Sequence, residues 1–93
     1  ECLEQFLADE TARESLAAIT REVVGCYQNG GKILVAGNGG SLTDASHFAE
    51  ELTGQFRGQR KPLGALALAD SAHITCVAND YGFEQIFARA VAG

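Results

Sequence analysis

Apolar residues recur at Leu16, Ile19, Val23, Val24 and Tyr27. Steps of three and four place them on one face of a helix, because a helix turns once every 3.6 residues. Thr11 and Glu14 have the spacing of a capping box, which predicts the helix start. Asn29-Gly30-Gly31 predicts its end. Residues 1–8 read as part of a preceding helix. After Lys32 comes an apolar run, Ile33 to Ala36, which reads as a strand buried on both faces. Gly37-Asn38-Gly39-Gly40 follows. Ser41 and Asp44 then read as N-cap and third residue of a helix carrying Ala45, Phe48, Ala49 and Leu52 on one face, with Gly54 closing it. A polar stretch from Gln55 to Pro62 leads to a second strand, Ala65 to Leu68. Asp70 and Ser71 read as the cap of a helix through Ile74 and Val77, and Asn79-Asp80-Tyr81-Gly82 as a loop that breaks it. Phe83, Ile86, Phe87, Ala90 and Val91 give a last amphipathic helix.

Strands alternating with helices predict an α/β fold built on a parallel sheet sandwiched by helices. Only two strands are visible, fewer than a stable open sheet usually has. The chain contains no Met and ends just after a helical pattern. The expectation is an incomplete domain, with helices over residues 1–30 and the start of an α/β core over residues 32–93.

Composition narrows the partners. Seven Lys and Arg against twelve Asp and Glu give a net charge of −5 over 93 residues. No broad basic face for nucleic acid is expected. The one basic group, Arg57, Arg60 and Lys61, reads as a solvated loop. A hydrophobic fraction of 46% excludes a disordered tail. No apolar run approaches the ~18 residues of a membrane span. The three cysteines, Cys2, Cys26 and Cys76, form no Cys-x-x-Cys pair. They suit a reducing compartment, with Cys26 and Cys76 packing as small hydrophobes. The start, Glu1-Cys2-Leu3-Glu4, is acidic where a secretion signal is basic. A cytoplasmic location is expected.

Two features carry candidate chemistry. The first is Gly37 to Ser41, between a strand and a helix start. Glycines let successive amides point into one concavity, and the helix N-terminus adds partial positive charge. The loop reads either as an anion site for a small phosphorylated ligand or as a plain tight turn. Leu42 stands where a dinucleotide fingerprint needs glycine. The second feature is His47 and Glu51, four residues apart on one helical face. They read either as two zinc ligands or as a surface ion pair. Asp44 precedes His47 by three residues and is placed to orient its ring. Ser41 to Glu51 spans about 15 Å of helix, so a sugar phosphate held at the loop extends towards this pair. Asn79 and Asp80 read as a helix end or as hydrogen-bonding partners for sugar hydroxyls. His73 reads as a structural or surface histidine.

The segments Val35 to Ser41, Asp44 to Gly54, Ala65 to Leu68 and Ile74 to Phe83 together resemble the phosphoheptose isomerases of the sugar isomerase (SIS) superfamily. The resemblance runs from about residue 11 to the end. It implies a flavodoxin-like fold with a five-stranded parallel sheet, and a homotetramer with active sites at subunit interfaces. It implies interconversion of sedoheptulose 7-phosphate and D-glycero-D-manno-heptose 7-phosphate, which begins heptose synthesis for the lipopolysaccharide core. The family carries zinc, and its metal-binding His and Glu fall on His47 and Glu51. Its substrate contacts fall on Asn38, Gly39, Gly40, Ser41, Glu51, Asn79 and Asp80. The family's later phosphate loop, and the Gln and His that complete its metal site, have no counterpart in these residues, so the chain reads as the N-terminal half of one SIS domain. Gln55 stands where several relatives have an arginine.

The implied reaction is aldose–ketose isomerisation through an enediolate, with Glu51 as the base. Two rivals need the glycine loop but not the His–Glu pair. One is a non-catalytic SIS protein that binds the replication initiator. The other is a sugar-phosphate sensor. Glu51 speaks against the first, whose members resemble each other in lacking this glutamate.

Overall fold

The structure, a computed structural model, describes residues 1–93 as two compact units, Glu1–Gly31 and Lys32–Gly93. The first unit is two consecutive helices, α1 (Cys2–Ala8) and α2 (Glu10–Gln28). Asp9 separates them with an extended backbone, and its carboxylate accepts from the Ala12 amide at 3.2 Å. The cap is therefore Asp9, and the capping box expected at Thr11 and Glu14 does not form. Asp9, two residues earlier, already caps the orphan amides through Ala12 N, so α2 is already helical at Thr11. At the other end the Gly31 amide donates to Cys26 O at 2.8 Å, closing the helix where glycines were expected to. No residue of this unit is buried, and Leu16 and Ile19 are more than half exposed.

The second unit holds β1 (Ile33–Val35) and β2 (Ala65–Ala67), paired in parallel with Ile33 opposite Ala65 and Val35 opposite Ala67. Leu68 N adds a bond to Val35 O just beyond the pairing. Between the strands runs α3 (Gly40–Thr53), which packs on both and buries Ala45 and Ala49. Four residues apart, these small side chains share one stripe and let the helix lie close to the sheet. Phe48, expected on that stripe, is half exposed. It lies one residue before Ala49, about 100° around the helix.

α4 (Ser71–Tyr81) is capped by Asp70, whose carboxylate accepts from Ala72 N at 3.1 Å, as the sequence suggested. A short 3-10 turn (Phe83–Gln85) leads into α5 (Ile86–Ala92), which packs on α4. Val77 and Ile86 are buried there. The expected break at residues 79–82 is narrower than the sequence suggested. Asn79, Asp80 and Tyr81 complete the last turn of α4, and Gly82 alone stops it with φ +110°. The strands are also not buried on both faces. Leu34 is 38% exposed and Leu66 57%. α3 covers one face, while Leu66 borders a cavity of about 500 Å³ shared with His73, Ile74, Ile86 and Ala90. No helix is long and apolar enough to cross a membrane.

Ile86, only 4% exposed, is the largest of the buried side chains. Ile86→Ala is expected to lower unfolding stability by about 2–5 kcal/mol. Phe83→Ala, at a position 60% exposed, is expected to change it by less than about 1 kcal/mol. Urea midpoints of the two variants check the contrast.

Candidate functional site

The glycine loop follows from close approach and backbone sign. A Cβ on Gly37 would lie 2.6 Å from the backbone carbonyl of Ser41, so only glycine fits beneath the first turn of α3. Gly39 adopts φ +57° and ψ −121°, which a side chain strongly disfavours. This residue, not Ser41, caps α3. Ser41 is the second helical residue, and its amide donates to Asn38 O at 3.0 Å. No side chain caps the helix, so the pairing expected between Ser41 and Asp44 is absent. The physical reason is the loop itself: Gly39 O already accepts from the Leu42 and Thr43 amides at 3.0 and 3.1 Å. The turn leaves the Ser41 hydroxyl and the Asn38 side chain exposed at the helix start.

Two to three turns further on, His47 Nε2 lies 3.9 Å from Glu51 Oε1. That is too long for a direct hydrogen bond. It is within the reach of two ligands on one ion, since zinc sits about 2.0–2.2 Å from each donor. The His47 side chain is largely exposed and that of Glu51 is 30% exposed. Glu50 joins them, with ligand atoms of all three residues within 4.8 Å of one another. Nitrogen and carboxylate oxygens on one helical face suit zinc, and three donors leave a fourth position open. Asp44, His47, Phe48 and Glu51 line a shallow pocket of about 240 Å³. Asp44 is thus beside the imidazole, though no hydrogen bond joins them. Glu50 escaped the sequence reading although it lies three residues after His47, a spacing that also shares a helical face.

The turn that carries Glu51 is tied down from the following loop. Arg60 donates through Nη1 to Leu52 O at 2.9 Å and to Lys61 O at 3.2 Å, and through Nη2 to Glu51 O. The expectation of a merely solvated basic loop fails at this residue. Arg57, in contrast, points its guanidinium over the Phe56 ring at 5.1 Å.

Asn79 and Asp80 meet each other within α4. Asn79 Nδ2 donates to Asp80 Oδ1 at 3.1 Å, and Cys76 Sγ donates to Asp80 Oδ2 at 3.3 Å. This bond and the carboxylate's negative charge push the Cys76 thiol above its ordinary pKa. Cys76 is exposed and hydrogen-bonded, not packed as a small hydrophobe. His73 is half-buried, and its Nε2 is buried with no protein partner.

Comparison with known proteins bears on this arrangement. A family profile described as SIS domain matches residues 1–93. The phosphoheptose isomerase of Fusobacterium nucleatum is 46% identical over 91 residues, covering 98% of this chain and 47% of that protein. That of Vibrio cholerae is 42% identical over 89 residues, covering 96% and 47%. A solved phosphoheptose isomerase from Francisella tularensis superposes with a TM-score of 0.80 at 48% identity, covering 86% of this chain and 42% of that one. A second, from Neisseria gonorrhoeae, gives 0.59 at 35% identity. The chain spans about half the length of the curated relatives it matches. Its α/β architecture, glycine turn and profile match together make it a member of the SIS-domain family.

Proposed function

We propose that the protein to which these residues belong is a sugar-phosphate isomerase of the phosphoheptose type. The observation that carries this reading is the cluster of His47, Glu50 and Glu51 on the same helix that begins at the glycine turn. A phosphate held at one end and a cation site at the other span a seven-carbon sugar. The names of the relatives, phosphoheptose isomerases at 42–46% identity, support the same substrate class. Sedoheptulose 7-phosphate is the substrate this reading selects.

The residues act as follows. Backbone amides at Gly39 and Gly40 and the Ser41 hydroxyl face a phosphate at the start of α3, where the helix adds partial positive charge. Asn38 supplies an amide side chain to a sugar oxygen. His47 and Glu51 would hold zinc, with Glu50 as a further donor. Bound zinc would supply Lewis-acid polarisation of the sugar carbonyl. Glu51 takes the proton from the carbon beside that carbonyl and returns it to the former carbonyl carbon, while the proton of the neighbouring hydroxyl passes to the former carbonyl oxygen. General base help of this kind is worth roughly 10²–10⁴-fold. A carboxylate that grips a metal is a weaker base, and Glu50 would ease this conflict as a second carboxylate donor beside Glu51. Asn79 and Asp80 bind sugar hydroxyls from α4. We expect a cytoplasmic homotetramer with sites at subunit interfaces. The exposed stripe of Leu16, Ile19 and Val24 offers apolar surface for its assembly.

In the intact protein, Glu51→Gln is expected to abolish exchange of the substrate's carbon-bound proton with deuterated solvent. Exchange at the wild-type rate would remove Glu51 as the base. An isomerase assay with zinc analysis separates this reading from a binding-only role, which predicts sugar-phosphate binding without turnover. A further expectation concerns Asp80. Its carboxylate disfavours the Cys76 thiolate, so Asp80→Asn should lower the thiol pKa and speed alkylation of Cys76 by iodoacetamide at mildly alkaline pH. Peptide mass spectrometry reads Cys76 apart from Cys2 and Cys26. An unchanged rate would mean that the bond between Cys76 and Asp80 does not persist in solution.

A further inference from the structure

We infer that Arg60 is a positioning residue for the metal cluster, fixing the turn of α3 that carries Glu51. The inference rests on the reading of His47 and Glu51 as a cation site. The last carbonyls of a helix lack partners within it. α3 carries no basic residue in its last turn to satisfy them. Arg60, eight residues beyond Leu52, takes that place. One guanidinium nitrogen reaches Leu52 O and the other Glu51 O, so two successive carbonyls are held by one rigid fork. Its positive charge also sits at the negative end of the helix dipole. Leu63 N donates to the same Leu52 O at 2.9 Å, tying the returning loop to this point.

What is held is the backbone of a proposed ligand. Thr53 and Gly54 already bind the turn below through Ala49 O and Glu50 O, at 3.1 and 2.7 Å. Arg60 adds a contact from outside the helix to the Glu51 carbonyl. Its side chain also borders a cavity of about 330 Å³ with Phe48, Glu51, Leu52 and Phe56. Glu51 borders that cavity, so the backbone beneath it helps set where its carboxylate points. Releasing the last turn would let the Glu51 carboxylate move away from His47 Nε2.

The test is zinc affinity of the intact protein, by competition with a chromophoric chelator, well below the melting temperature of each variant. Arg60→Ala is expected to weaken zinc binding about 10–100-fold, the usual effect of removing a group that orients a ligand. Millimolar guanidinium is expected to restore most of the loss by reoccupying the fork. A role in stability alone would lower the melting temperature and leave the affinity unchanged, and that result overturns the inference. If Arg60→Ala does not fold, Arg60→Lys carries the test. It keeps the charge but cannot span both carbonyls, so weaker zinc binding is expected and wild-type affinity overturns the inference. His47→Ala separates the two levels of the argument. If it binds zinc as the wild type does, the cation site itself is wrong and the role of Arg60 falls with it. If only the Arg60 variants match the wild type, the site stands and the positioning role alone fails.

Discussion

The seat of α3 on the two parallel strands governs most of what this chain can do. Ala45 and Ala49 occupy the contact, and neither has a side chain larger than a methyl group. Small residues at this seam bring the helix axis close to the sheet. At the start of α3 the chain turns so tightly that a Cβ at position 37 would strike the Ser41 backbone. The same seating sends His47, Glu50 and Glu51 to the side of α3 turned away from the strands. The glycine turn at the start of the helix and the donor cluster near its end thus lie on one seated helix.

The cluster combines local and distant contributions. Helical spacing alone gathers the imidazole and two carboxylates, as it would in any stable helix. Keeping the last turn intact is a different matter, because helix ends fray and their carbonyls are unsatisfied. Gly54, Leu63 and Arg60 converge on that turn from outside the regular helix, and the Thr53 hydroxyl bonds back to Ala49 O within it. Glu51 is therefore held by a loop whose composition reads as plain solvated polarity.

Much of this was legible in the sequence, and the parts that were not share a cause. Periodicity located α2, α3 and α5, and short apolar runs located β1 and β2. The Asp70 cap and the Gly54 and Gly82 stops were visible as residue types at helix ends. Failures occurred where two local signals compete for one role. Asp9 and Thr11 both suit a cap, and Asp9 reaches the amides first. Ser41 suits a cap too, but the positive φ of Gly39 turns the chain one residue earlier. Asn79 and Asp80 are turn formers in isolation, yet their side chains bond within the last turn of α4 and the helix absorbs them. Arg60 was illegible for another reason. Its partners are carbonyls eight and nine residues back, and no residue type marks a free carbonyl. The two-faced burial expected of β1 failed because α3 covers one face, while Leu34 on the other stays exposed.

The central claim is that His47 and Glu51 are ligands of one ion. X-ray absorption spectroscopy of the zinc-loaded intact protein tests it most directly. The account predicts a first shell of nitrogen and oxygen donors with imidazole scattering, which loses one imidazole contribution in His47→Ala. An identical zinc spectrum in wild type and His47→Ala would contradict it.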